Sequence, residues 1–355
     1  MSETLRTVAA LAEADLVAPE RLPALEAVAA RYAVAITPAM AALIDPSDPE
    51  DPIARQFVPR PEELETRPEE RADPIGDLAH SPVKGIVHRY PDRVLLKPVH
   101  VCPVYCRFCF RREMVGPDGL GGLSRQEMDA ALAYIAARPE VWEVIVTGGD
   151  PLVMAPRRLR AMVQALSAIE HVKVVRFHSR VPVVDPGRIT AELVRALRAG
   201  GQAVYVAVHA NHPRELTAEA RAACARLADA GIPLLSQTVL LRGVNDTVET
   251  LAALMRAFVE TRIRPYYLHH PDLAPGTARL RMSLAEGQAL VRALRGHVSG
   301  LCQPTYVLDI PGGHGKAPVG PCALHDGPGG LHVEDRHGTL HAYPPPGPSP
   351  DGTTG

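Results

Sequence analysis

Three cysteines within one short loop constrain this chain more than any other feature. They lie in His100-Val101-Cys102-Pro103-Val104-Tyr105-Cys106-Arg107-Phe108-Cys109, at a Cys-x3-Cys-x2-Cys spacing. An apolar run from Arg93 to Val101 precedes them and reads as a buried strand. Three thiolates on one tight loop can hold three irons of a four-iron cluster, leaving the fourth iron open to a chelating small molecule. A structural zinc site would bring a second Cys pair or a Cys/His pair at ligand spacing, and only His100 lies nearby. A disulfide framework fits poorly with 355 residues, six cysteines and no export signal.

Composition narrows the partners. The formal charge of -2, with scattered Lys and Arg and only 4% aromatics, gives no reason to expect nucleic acid. No apolar run reaches the length of a membrane span. Glu3, Arg6, Glu13 and Asp15 spoil a signal-peptide core, which places the chain in the cytoplasm, where thiols stay reduced. An apolar fraction of 46% suffices for a sizeable core.

Residues 1–85 are expected to form an N-terminal helical and extended segment. Leu5, Val8, Ala9 and Leu11 suggest one short helix, and Leu25, Val28, Ala29 and Tyr32 another; both must pack on the rest of the chain. Residues 45–84, rich in Pro, Asp, Glu and Arg, read as an irregular crossing over the surface. From Arg93 strands and helices alternate. Strands are expected at 94–101, 141–147, 172–178, 203–209, 233–239 and 264–268, and helices at 125–137, 157–169, 191–199, 217–230, 248–261 and 284–294. Ser124 to Glu127 forms a capping box, and Gly200 and Gly231 sit where C-caps belong. Apolar strands with intervening helices imply an α/β fold with parallel pairing and right-handed crossovers. Pattern alone does not separate an open doubly wound sheet from a barrel. Residues 86–300 would form this unit and 301–343 a C-terminal segment, with a strand at 305–308 and a hairpin from 331–334 and 339–343; 344–355 read as a disordered tail.

The second informative loop is Asp309-Ile310-Pro311-Gly312-Gly313-His314-Gly315-Lys316-Ala317-Pro318. A P-loop fails here, with Ile310 where the first glycine belongs and Ala317 in place of Ser or Thr. Two readings stay open on the loop alone: a Schiff-base lysine for an aldehyde cofactor, or a solvated Gly-Lys turn.

The two loops occur with other motifs in a fixed order. These include His88-Arg89-Tyr90-Pro91-Asp92-Arg93, Thr147-Gly148-Gly149-Asp150, Ser179-Arg180-Val181-Pro182-Val183, Asn211-His212-Pro213, Val244-Asn245-Asp246 and Arg264-Pro265-Tyr266-Tyr267. As a set, from about Asp45 to Pro321, they resemble the lysine 2,3-aminomutase family of radical S-adenosylmethionine enzymes. The resemblance implies a partial (βα)6 TIM-like barrel with the cysteine loop after its first strand and chemistry at the C-terminal strand ends. It also implies an isomerase that converts L-lysine to β-lysine by 2,3-amino migration. A 4Fe-4S cluster, S-adenosyl-L-methionine and pyridoxal 5'-phosphate would serve it, and an electron donor such as flavodoxin or ferredoxin.

Carried over position by position, Cys102, Cys106 and Cys109 would hold the cluster. Gly148, Gly149 and Asp150 would meet the amino group of S-adenosylmethionine, which His209 and Gln237 would also contact. Lys316 would carry pyridoxal phosphate, with Tyr90 and Arg93 against it. Arg111 would grip the substrate carboxylate, and Asp272 and Asp309 would hold the side-chain ammonium of lysine. Two acids for one cation satisfy its three donors and offset its desolvation.

The chain departs from the larger lysine enzyme at its end. Thr247 follows Asp246 where that enzyme has a cysteine, and no cysteine follows Cys322, so its intersubunit zinc site should be absent and a homo-oligomer is left open. Cys224, Cys302 and Cys322 read as ordinary thiols. The alternatives are a relative that supplies β-lysine for elongation factor P and, in another class, a catalytically inactive iron–sulfur protein.

Overall fold

The computed structural model describes residues 3–116, 121–328 and 330–345. Nine strands form one sheet in sequence order: β1 (Ile86–Tyr90), β2 (Arg93–Val99), β3 (Glu143–Gly148), β4 (Val174–Ser179), β5 (Ala203–His209), β6 (Leu234–Val239), β7 (Ile263–His269), β8 (Thr305–Asp309) and β9 (Lys316–Pro318). From β2 to β8 every neighbour is parallel. β1 and β9 run antiparallel at the two edges. Helices Arg125–Ala136, Pro156–Ser167, Ala191–Leu197, Ala218–Asp229, Val248–Glu260 and Leu284–His297 form the six crossovers. This is the expected partial (βα) barrel, with all six strands and all six helices in place. The strand at 305–308 extends the parallel run to a seventh member, and β1 and β9 were not anticipated.

The sheet curls until its edges nearly meet. The Tyr90 hydroxyl, at the end of β1, accepts a 2.7 Å hydrogen bond from the Lys316 backbone N–H at the start of β9. Burial follows the curl. Val144, Val146, Val175, Phe177, Val206 and Val208 point outward under the helices and are fully buried. On β6 the other face carries Leu235, Gln237 and Val239, which keep partial exposure towards the barrel interior. Polar side chains at the strand ends therefore face inward, where a ligand can reach them.

Local signals hold the helices in place. Ser124 Oγ accepts from Glu127 N at 3.2 Å while the Glu127 carboxylate accepts from Ser124 N at 2.8 Å. Gly231 follows its helix with φ +78°, as a C-terminal cap requires. Gly200 does not play that part: its helix ends at Leu197 on an Arg198 cap, and Gly200 has no left-handed backbone.

The N-terminal helices, Val8–Glu13 and Leu22–Arg31, pack as expected: Val8, Leu11 and Leu25 belong to the same apolar cluster as the barrel helices. Residues 45–84 correct the surface reading in part. Residues 45–50 and 64–69 are exposed, but Asp51, Gln56, Glu63 and Asp77 are 0% exposed, and Glu63 and Asp77 pack against arginines in and just after the cysteine loop. The C-terminal hairpin gains a third strand: β10 (Leu324–Gly327) pairs with β11 (Gly330–Glu334), which pairs with β12 (Leu340–Ala342). Apart from its first two residues, the tail expected at 344–355 lies outside the described residues. Among the described residues no helix is long and apolar enough to cross a membrane.

Candidate active site

β2 ends at Val99 and the chain enters the cysteine loop at the C-terminal mouth of the barrel. The turn is tight, with Cys109 N donating to Cys106 O at 3.1 Å. Cys102, Cys106 and Cys109 line one small cavity with Val104 and Tyr105. Burial, and then the charge of Asp150, pushes the Cys102 thiol well above its ordinary range; burial and then Cys106 push Cys109 up to about 11. Burial raises Cys106 as well, opposed by Arg180, whose Nη1 donates to its sulfur at 2.8 Å. Such thiols ionise only when a positive centre takes the charge. Among the described residues no three Cys, His, Asp or Glu side chains are set around a single ion. A donor set of three half-buried thiols suits a multi-iron cluster, in which each thiolate meets a different iron.

The Gly148-Gly149-Asp150 turn leaves β3 directly beside this loop. Gly149 N donates to Val99 O at 2.7 Å and Asp150 N to Val101 O at 2.9 Å. A Cβ on Gly149 would stand 2.3 Å from Val101 O, so only glycine permits the approach. The Asp150 carboxylate is fully engaged. It accepts from Leu152 N at 3.0 Å, Ser179 Oγ at 2.8 Å, Arg180 N at 2.6 Å and Val181 N at 3.2 Å.

His209 and Gln237 are register partners at the ends of β5 and β6. Gln237 Nε2 donates to His269 Nε2 at 2.9 Å, and the His178 ring lies 5.9 Å from that of His209. Burial, then the Arg180 charge, pushes His209 down to about 3, so it is a neutral imidazole. Four buried atoms here have no hydrogen-bond partner among the described residues: His178 Nε2, His209 Nε2, Gln237 Oε1 and Asp309 Oδ1. Buried polar atoms of this kind are paired in folded proteins, and here they converge on the barrel mouth, where a polar ligand would meet them.

The lysine loop closes the far side. Ile310 N donates to Gly315 O at 2.8 Å, and Gly312, Gly313 and Gly315 hold φ of +91°, +88° and +92°. The Lys316 ammonium hydrogen-bonds to Asp309 Oδ2. Arg93 lies over the Tyr90 ring with its guanidinium carbon 3.8 Å from the centroid. Burial would raise the Asp309 carboxyl, but His269 and the Lys316 ammonium outweigh it and hold it well below the usual carboxylate range. Asp272 goes the other way: burial, then the Asp309 charge, pushes it up to about 7.

Arg111 connects the two loops. Its Nε and Nη2 both donate to Asp77 Oδ2, at 3.0 and 2.8 Å. Asp77 also accepts from Arg89 Nη2 at 3.2 Å and lies 3.7 Å from the Lys97 ammonium, while Arg89 Nη1 stands 3.9 Å from Asp309 Oδ1. An unbroken run of charges thus links the cysteine loop to Lys316. Cys102, Cys106, Cys109, Arg111, the Gly148-Gly149-Asp150 turn, His209, Asp309 and Lys316 follow or end strands on the side of the barrel mouth, whereas Arg93 opens β2 at its other end, against the Tyr90 ring. Asp77, Arg89, Arg180, His178 and His269 were not singled out. The two histidines and Arg180 end or follow strands, a position that could have flagged them; Asp77 has no local signal.

Comparison with known proteins bears on the same stretches. The radical SAM superfamily pattern matches residues 96–255, and a lysine-2,3-aminomutase pattern matches residues 291–352. The L-lysine 2,3-aminomutase of Clostridium subterminale is 44% identical over 288 residues, covering 81% of this chain and 69% of that protein. The L-lysine 2,3-aminomutase of Fusobacterium nucleatum is 41% identical over 314 residues, covering 88% and 73%. The glutamate 2,3-aminomutase of Clostridioides difficile is 36% identical over 297 residues, covering 84% and 70%.

Proposed function

Because the chain belongs to the lysine 2,3-aminomutase family of radical S-adenosylmethionine enzymes, we propose that it converts L-lysine to β-lysine, moving the amino group from the α- to the β-carbon. What supports the substrate is the Asp309 carboxylate bonded to Lys316, with Asp272 near enough for the Asp309 charge, after burial, to push its carboxyl up to about 7 while Asp309 is held well below the usual range. A second cation placed between them relieves that repulsion. Glutamate would bring a third carboxylate instead.

The residues present fit the cofactors of the family. Cys102, Cys106 and Cys109 would hold the cluster. The backbone of Gly148 and Gly149, fixed by the saturated Asp150 carboxylate, would face S-adenosylmethionine together with His209 and Gln237. Lys316, Tyr90 and Arg93 would hold pyridoxal phosphate. When bound, the cluster and S-adenosylmethionine supply a carbon radical, fed by a donor such as flavodoxin or ferredoxin, and pyridoxal phosphate supplies an aldehyde that carries nitrogen. That chemistry is needed because the β-hydrogen of lysine has no acidity for a general base to exploit.

The chain's own side chains then do the positioning. Asp77 engages the Nε/Nη2 edge of Arg111 and leaves Nη1 without a protein partner among the described residues, so the guanidinium is held for a carboxylate on its other edge. Asp272 and Asp309 hold the opposite end of the substrate. A chain pinned at both ends keeps one β-hydrogen in line with the radical source.

The test is an anaerobic assay of reconstituted protein against free amino acids, with β-amino products identified by mass spectrometry. Lysine should turn over and glutamate should not. Equal turnover of glutamate or alanine would overturn the two-acid reading.

A further inference from the structure

We propose that Arg180 sets the reduction potential of the cluster by donating a hydrogen bond to the Cys106 sulfur; this rests on the reading of Cys102, Cys106 and Cys109 as cluster ligands. Arg180 follows β4 and is 7% exposed. Its Nη1 donates to Cys106 Sγ at 2.8 Å, and its Nη2 donates to Gln56 Oε1 and Glu215 Oε2, both at 2.6 Å. The guanidinium lies between two rings, 4.7 Å from the Phe57 centroid and 5.3 Å from that of Phe108. Among the described residues no other side chain donates to a sulfur of the triplet.

The partners leave this group no freedom to turn away. Glu215 Oε1 accepts from Gln56 Nε2 at 3.0 Å and from Asn211 N and His212 N, both at 2.9 Å. Gln56 Oε1 also accepts from Asn211 Nδ2 at 3.0 Å. Glu215 balances Arg180 while Cys106 is a neutral thiol; a thiolate there adds a negative charge that only Arg180 meets directly. The reduced cluster carries one more negative charge than the oxidised one. A cationic donor on a ligand sulfur therefore favours the reduced form and raises the potential.

The same residue touches the neighbouring turn, since its backbone N–H donates to Asp150 Oδ2. Arg180 thus ties the Gly148-Gly149-Asp150 turn to Cys106. It is a positioning residue, acting on the cluster through a ligand.

The experiment is an EPR-monitored redox titration of anaerobically reconstituted full-length protein without S-adenosylmethionine, on native, Arg180→Lys, Arg180→Met and Glu215→Gln forms. Iron and sulfide content is measured alongside. Arg180→Met should lower the midpoint; each tenfold loss in the reduction equilibrium reads as 59 mV for one electron. Arg180→Lys, keeping the charge but not the fork, should fall between. Glu215→Gln should raise the midpoint by leaving Arg180 unbalanced, and it decides the matter if Arg180→Met fails to hold a cluster. Unchanged midpoints in cluster-loaded variants would overturn the proposal. Failure of the ligand reading looks different: native protein would take up no four-iron cluster, or Cys106→Ser would keep it.

Discussion

Asp272→Asn should make the substrate-free protein more stable while abolishing its use of lysine. The carboxyl of Asp272 stands at about 7 against an ordinary 3.8, because burial and the adjacent Asp309 charge both disfavour ionisation. A rise of roughly three units corresponds to up to about 4 kcal/mol of linkage. The sign follows from proton counting. Between the two values the folded state holds a proton that the unfolded state has released, so stability falls as pH rises. The contribution is fully present below the unfolded value and is gone once pH has passed through about 7. Asparagine has nothing to titrate, so the gap between variant and native should widen across that window and then stay constant. Denaturant midpoints measured at half-unit pH steps, without lysine, read this directly. Lysine affinity of the native protein should rise with pH up to about 7, as Asp272 becomes the carboxylate that an ammonium needs. In Asp272→Asn that rise should vanish and binding should weaken by over a hundredfold, since breaking a buried charge pair costs about 3–5 kcal/mol. Parallel stability curves for the two proteins would refute the reasoning.

Cys106→Ser should abolish four-iron absorption and activity, because a hydroxyl is a poor ligand for these irons, while Cys302→Ser should leave both near native values. Lys316→Ala should lose the absorption of the protein-bound pyridoxal group and keep that of the cluster; a full pyridoxal spectrum would place the lysine elsewhere. Asp77→Asn should raise KM for lysine with unchanged iron content, because Arg111 loses the carboxylate that fixes its Nε/Nη2 edge; an unchanged KM would remove Asp77 from substrate positioning. Glu63→Gln should lower unfolding stability by about 3–5 kcal/mol, since Glu63 is fully buried against Arg107, Arg112 and Arg279; a denaturant midpoint close to native would count against that network.

The barrel was legible because its signals are local. An apolar run such as Val204–Val208, a capping serine such as Ser124 and a closing glycine such as Gly231 each act within a few residues, and each marks one element boundary. The strand at 305–308 was legible but its place as a seventh parallel member was not, and the edge strands were missed. β1 and β9 are short, carry polar residues and exist only because β2 and β8 offer edges to pair with. Gly200 misled for a similar reason: a glycine after a helix reads as a cap wherever it stands, and here the helix had already ended at Leu197. In the site, the cysteine and lysine loops were visible through spacing and glycine content. Arg180 sat inside a recognised motif, but a charge on a strand end gives no sign that its partner is a sulfur 74 residues away.

The segment 45–84 shows why polarity and exposure are different properties. Read locally, its acids belong in water. In the fold each buried acid meets arginines from distant parts of the chain: Glu63 meets Arg107, Arg112 and Arg279; Asp77 meets Arg89 and Arg111; Asp51 meets Arg214. Burial alone would raise Glu63 and Asp77, yet the arginines overcome it and hold both below the usual carboxylate range. The direction matters for function. Arg107 lies within the cysteine loop and Arg111 and Arg112 just after it, and three uncompensated cations there would repel one another and draw the loop towards solvent. Glu63 takes Arg107 and Arg112 out of play as structural pairs. Asp77 engages Arg111 by one edge alone. Of three neighbouring arginines, the segment thus leaves Arg111 with an Nη1 that has no hydrogen-bond partner among the described residues, the edge that the proposed function gives to a substrate carboxylate. The acids of a segment that reads in sequence as a solvated crossing thus decide which of these arginines are tied into the fold and which keeps a donor unpaired among the described residues.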